Sequence, residues 1–127
     1  MKKRLWLVGF ASVASICVVA SCLAYGGTLR LEALGVPHID FVGHLVFMGL
    51  LACFADGMLG HRAVARTVRL GPALVLAAAA TDEVLQRFSI HRSSSWSDFV
   101  ADAIGVTLGA FVATRITRAY AEAAIAP

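Results

Sequence analysis

A chain of 127 residues has room for one domain, and this one sets 11 Lys and Arg against 8 Asp and Glu, a formal charge of +3. It is 59% hydrophobic and 15% charged, whereas a soluble domain is about one quarter charged, so lipid is the expected solvent of a single membrane domain over residues 1–127. The positive excess does not point to nucleic acid, because the arginines stand singly beside apolar runs rather than in a basic patch interleaved with aromatics.

Crossing a hydrocarbon core of about 30 Å takes roughly 20 helical residues, and four apolar windows approach that length. The first, from Leu5 to Tyr25, has no charge at all. Its basic start and small-residue exit also suit a secretory signal, and Val19-Ala20-Ser21-Cys22 matches a lipoprotein cleavage pattern. The apolar run continues past Cys22, longer than a signal core usually is, so the helix is expected to be retained. Cys17, Cys22 and Cys53 all lie in apolar stretches without Cys-x-x-Cys spacing and read as small apolar side chains.

Gly26-Gly27 and Gly35-Val36-Pro37 mark the loop that follows. The second window, about 40–59, opens on Asp40 and His44 and carries Asp56 near its end. Asp40 suits the positive end of a helix dipole. Asp56, His61 and His91 read most simply as interfacial. Gly57 and Gly60 close this span, and the third, about 70–88, ends on Asp82, Glu83, Gln86 and Arg87. Glu83 and Arg87, four apart, have the spacing of an intrahelical ion pair. Glu83 nonetheless sits where the dipole disfavours an anion. Arg92 and Ser93-Ser94-Ser95 fill the last loop, and the fourth window, about 97–117, has Asp98 and Asp102 in its opening turns. Ser95 and Asp98 fit a capping box. The apolar runs do not alternate, so strands are not expected. The fold read here is all-α: a polytopic bundle of four transmembrane helices.

Short cytoplasmic loops carry the excess of Lys and Arg. Lys2, Lys3, Arg4, Arg62, Arg66, Arg69, Arg115 and Arg118 fall on one side, and only Arg30, Arg87 and Arg92 on the other. That eight-to-three division puts both termini in the cytoplasm, in a multi-pass protein of the cytoplasmic (inner) membrane. Most ionisable residues then gather at the outer face, on helix stripes: Asp40 with His44 and Phe47, Glu83 with Gln86, and Asp98 with Asp102, Gly105 and Gly109. Ionisable groups are costly in lipid, so these stripes should face inward. Gly105-x-x-x-Gly109 would let a neighbouring helix approach closely. Asp98 and Asp102 are like charges one turn apart, a pair that calls for a cation such as Arg92, Arg87 or His44. Carboxylates and imidazole are suitable metal ligands, but no metal-binding spacing is present, and neither a metal nor a cofactor is expected.

Asp40-x-x-x-His44, followed by Glu83-x-x-Gln86-x-Phe88-x-x-x-Arg92-x-x-Ser95-x-x-Asp98-x-x-x-Asp102-x-x-Gly105-x-x-x-Gly109, resembles the signature of the VanZ-like family. These are small bacterial multi-span membrane proteins named for a protein of glycopeptide-resistance clusters associated with teicoplanin resistance. The resemblance covers residues 38 to 112. Two positions depart from it: Phe41 stands where the family often has Lys, and Asp102 where it often has Asn. The resemblance implies a cell-envelope role on the outer side of the membrane and carries no settled mechanism.

The function these readings favour is recognition of a polar headgroup, such as a polyprenyl-linked or glycerolipid phosphate, or of an envelope-assembly partner. Arg92 and Arg87 would contact the anion, and Asp98, Asp102, Glu83 and Gln86 would hold the arginines and His44 in place. Membrane lipids and lipid-linked cell-wall intermediates are the partners implied. An enzyme acting on a lipid-linked headgroup would use His44 or Glu83 as general base and Arg92 at a developing oxyanion, although no Gly-x-Ser-x-Gly elbow is present. A purely structural module would use the polar cluster only to lock helices together. A proton-coupled transporter would place an ionisable residue near the midplane.

Overall fold

The computed structural model describes residues 3–29, 38–92 and 94–125. Four helices account for most of them: α1 (Lys3–Tyr25), α2 (Ile39–Met58), α3 (Leu70–Gln86) and α4 (Trp96–Ala123). Among the described residues the only extended pairing is an isolated bridge between Ala63 and Arg69. The all-α expectation therefore holds. Three of the helices, α1, α2 and α4, are long and apolar enough to cross a membrane, while α3 has 17 residues. Lys2, Arg30, Gly35-Val36-Pro37, Ser93 and Pro127 lie outside the described residues.

The ends of α3 and α4 depart from the expected spans for a structural reason, while every other boundary agrees to within two residues. α3 stops at Gln86 and not 88, because the chain tightens there: the N–H groups of Arg87, Phe88 and Ser89 donate to carbonyls three residues back. α4 continues to Ala123, six residues beyond its expected end, and its last turns are largely exposed.

Contacts fix how the helices run. Trp6, at the start of α1, packs on Phe54 and Gly57 near the end of α2, so these two are antiparallel. His44 meets Asp102 near the starts of α2 and α4, and Tyr25 meets Asp82 near the ends of α1 and α3. The starts of α2 and α4 thus share one end of the bundle with the ends of α1 and α3. We call this end, with Tyr25, Asp40, Gln86 and Trp96, the distal end, and the other the proximal end.

The tightest packing joins α2 to α4, and the sequence shows why. Ala101, Gly105, Gly109 and Ala113 recur every four residues on α4 and are all buried. A Cβ at Gly105 would fall on the Leu45 carbonyl, and one at Gly109 on that of Gly49. Backbone therefore lies against backbone, as a small-residue stripe permits, and the close approach expected of Gly105 and Gly109 is realised with Gly49 as its counterpart. Large apolar side chains such as Leu7, Val18, Val46, Leu74, Leu108 and Phe111 point outward. An apolar exterior around a core of Ala, Gly and buried acids is the arrangement lipid favours.

Both described glycine turns follow from helix termination. α1 ends with Gly27 at φ 72°, Thr28 N–H donating to the Leu23 carbonyl and Gly27 N–H to that of Ala24. α2 ends the same way, with Gly60 at φ 64°, His61 N–H donating to Asp56 and Gly60 N–H to Gly57. Both are Schellman motifs, which need a left-handed residue just past the helix.

Candidate functional site

The polar residues named from the sequence as site candidates lie at the distal end in two sets that overlap at His44 and Asp82. One set is buried or half-buried and is held by hydrogen bonds within and between the helices. The His44 Nδ1–H donates to Asp102 Oδ1 at 2.9 Å, and Asp102 is 1% exposed. Glu83 Oε2 accepts from the Ser94 hydroxyl at 2.9 Å and from the Ser95 N–H at 3.1 Å. Gln86, also 1% exposed, donates from Nε2 to Asp82 Oδ2 at 2.7 Å, and the Tyr25 hydroxyl donates to Asp82 Oδ1 at 2.9 Å.

These bonds explain Glu83 and correct two expectations. Glu83 does not pair with Arg87, which is exposed at the C-cap of α3. It reaches instead across to the start of α4, where an unpaired backbone N–H welcomes an anion. Ser95 is the N-cap of α4, its hydroxyl accepting from Ser97 N–H at 3.3 Å. The box with Asp98 is not closed, because Glu83 already holds the Ser95 N–H. Of the cations named for the Asp98–Asp102 pair, it is His44 that pairs with the buried Asp102, while Asp98 turns to a cavity that His44 also lines.

The second set lines that cavity, about 420 Å³, at the distal end. Asp40, His44 and Phe47 enter from one stripe of α2 as expected, and Asp82, Asp98, His91 and Arg92 from α3, α4 and the loop between them. Cys17, Ala20 and Ala24 of α1, with Ser21 among them, form a largely apolar wall of small side chains. Arg92 lies over the Tyr25 ring at 5.9 Å, and among the described residues it forms no ion pair. Asp40 lies in the first turn of α2 but does not cap it; the N-cap is His38, at φ 56° and without a side-chain cap. His91 is not merely interfacial: its ring covers Gly27. Arg87, Glu83, Gln86 and Asp102 do not line the cavity.

A second polar cluster lies at the proximal end, where the sequence reading treats Asp56 and His61 as interfacial and Arg69 as a loop charge. Asp56 is fully buried. Arg69 Nη1 donates to Asp56 Oδ2 and to the Thr114 hydroxyl, and Nη2 donates to the Ala110 carbonyl at 2.9 Å. The His61 Nδ1–H donates to the same Asp56 oxygen at 2.8 Å, and its Nε2 lies 2.9 Å from the Thr117 hydroxyl. The Schellman turn places His61 back over Asp56, five residues earlier. Gly71 lets the start of α3 lie on the Asp56 backbone, which brings Arg69 in. The cluster joins α2, the α2–α3 loop and α4. Its signal in the sequence was an acid within an apolar span followed by a glycine-terminated turn and a histidine.

Among the described residues no group of three or more His, Cys, Asp or Glu is placed to hold a metal ion. Comparison with protein-family models, curated proteins and solved structures finds no match.

Proposed function

We propose that the protein is a VanZ-like membrane protein of the bacterial cell envelope whose distal cavity recognises the headgroup of a lipid. In this reading all four helices cross the inner membrane, α3 included. Its 17 residues rise about 26 Å, close to a hydrocarbon core of about 30 Å, and both termini face the cytoplasm.

The observation that carries the reading is the composition of the cavity wall. Arg92 offers a fork of donors that pairs with no carboxylate among the described residues, and a guanidinium suits phosphate. Beside it Asp40 and Asp98 offer acceptors. A bare phosphate would meet those carboxylates unfavourably, whereas a headgroup with hydroxyl or amine donors beside its phosphate satisfies both kinds of group. The ligand class is thus a sugar- or amine-bearing lipid phosphate, such as a lipid-linked cell-wall intermediate, with its chain along the largely apolar wall of α1. The test is a thermal-shift titration in phosphatidylcholine nanodiscs with a polyprenyl phosphate, with and without an attached sugar. The sugar-bearing lipid should raise the melting temperature more, and Arg92→Lys, which keeps the charge but loses the fork, should weaken that shift while leaving the ligand-free melting temperature unchanged. No shift with either lipid sinks the proposal.

A second reading has one specific support. Asp102 behind His44 is the carboxylate–imidazole arrangement that orients a general base, and His44 opens on the cavity. Release of phosphate or sugar from the bound lipid, lost in His44→Gln, would make the protein an enzyme.

A further inference from the structure

The proximal end carries a second cavity, a groove of about 490 Å³ between α3 and α4. We infer that this groove binds an anionic phospholipid, its phosphate held by Arg115 and Arg118 and an acyl chain lying between the two helices. The inference requires only that these helices stand in lipid and is independent of the distal cavity.

Shape comes first. α3 meets α4 less intimately than α2 does, and Pro72 and Ala73 on its facing side are too small to fill the gap. The groove runs along α4 from Val106 to Arg118, 12 residues or about 18 Å at the helical rise, near the depth of one leaflet of a core about 30 Å thick. Its inner stretch is walled by Leu76, Val106 and Ala110, surfaces an acyl chain covers well.

Charge then selects the headgroup. The mouth is lined by Arg69, Arg115 and Arg118, and among the described residues no Asp or Glu lines the groove. Arg69 is committed to Asp56, Thr114 and the Ala110 carbonyl and shapes the floor. Arg115 and Arg118 have no carboxylate partner among the described residues, Glu122 included. Arg115 lies over the Phe111 ring at 4.8 Å, which holds the guanidinium at the rim. Two uncommitted guanidinium groups above an apolar slot match one phosphate above one chain. Zwitterionic lipid would fill the slot equally well but gain less at the mouth, because its ammonium offsets the phosphate.

The test is native mass spectrometry of the full chain released from mixed micelles holding equal phosphatidylglycerol and phosphatidylcholine. Wild type should retain one phosphatidylglycerol preferentially, and Arg115→Gln with Arg118→Gln should cut that preference by about 25-fold, some five-fold per arginine. Lys3→Gln with Arg4→Gln, which removes charge at the same end but outside the groove, should leave it intact. Ala73→Phe, filling the slot without touching charge, should also lower retention, so the result does not hang on one variant. Soluble glycerol phosphate should not displace the lipid. Equal retention of the two lipids by wild type, or equal losses in the Lys3/Arg4 and Arg115/Arg118 variants, overturns the inference; so does displacement by glycerol phosphate, which would make the site one for a soluble anion.

Discussion

At the scale of single residues, the buried acids Asp56, Glu83 and Asp102 are explained by the donors each one reaches. Glu83 was anomalous in the sequence because its own helix gives no reason for an anion there. Its partners, Ser94 and Ser95, belong to the next helix, a relation that spacing along α3 does not contain. Glu83→Gln keeps an acceptor but places an amide N–H₂ in a buried site and weakens two charge-assisted bonds. It should cost about 1–3 kcal/mol, read as an earlier melt in detergent, and a melt equal to wild type would show that these bonds do not hold α4 in place. Asp56 gives the larger effect. Arg69→Met leaves a fully buried carboxylate with only His61 beside it, and breaking such a pair commonly costs about 3–5 kcal/mol. Adding Asp56→Leu to that variant should recover part of the loss, because the uncompensated charge goes with it; a double variant less stable than Arg69→Met alone would mean that the cluster serves packing more than charge.

At the scale of elements, the helices were legible and their partners were only half so. Apolar windows of about 20 residues located all four, and three of them, α1, α2 and α4, are long and apolar enough to cross a membrane. The ends were less legible: α3 tightens at Arg87 and α4 runs on past Thr117 through exposed turns, and neither depends on hydropathy. Gly105 and Gly109 declared a close approach, but the surface that receives them, Leu45 and Gly49 on α2, has no pattern strong enough to read alone. The contact can be tested against an internal control. A methyl at Gly109 would strike the Gly49 carbonyl, whereas one at Gly43, in the same bundle, would meet nothing within 4 Å. Gly109→Ala should therefore destabilise by about 1–3 kcal/mol or more, as overpacking does, while Gly43→Ala should be neutral or gain up to about 1 kcal/mol from helix propensity. Matching melting temperatures for the two variants would contradict backbone-to-backbone packing of α2 on α4.

At the scale of the whole molecule, the bundle has polar machinery at both ends and an apolar waist, which the sequence reading saw as one-sided. It placed nearly every buried charge in one leaflet because Asp56 is a single acid near a helix end and Arg69 sits in a basic loop, where each has a simple interfacial account. Only the turn at Gly60 and the approach at Gly71 bring them together. This matters for orientation, since an arginine locked to a buried carboxylate contributes less to the charge bias that sets topology than a free one does. Setting Arg69 aside, the described residues still place Lys3, Arg4, Arg62, Arg66, Arg115 and Arg118 at the proximal end against Arg87 and Arg92 at the distal end, so the direction of the bias is unchanged. Reporter fusions in the loop between Arg62 and Arg66 and after Pro127 should therefore behave as cytoplasmic, and one beside Ser94 as external. Neutralising Arg69 should leave that pattern intact even as it destabilises the fold, whereas neutralising Arg62 and Arg66 together should weaken it. An external C-terminal reporter would invert the molecule, placing the arginine-rimmed groove in the outer leaflet and the cavity with Arg92 and His44 at the cytoplasmic face, where an outward-facing envelope ligand could not reach it.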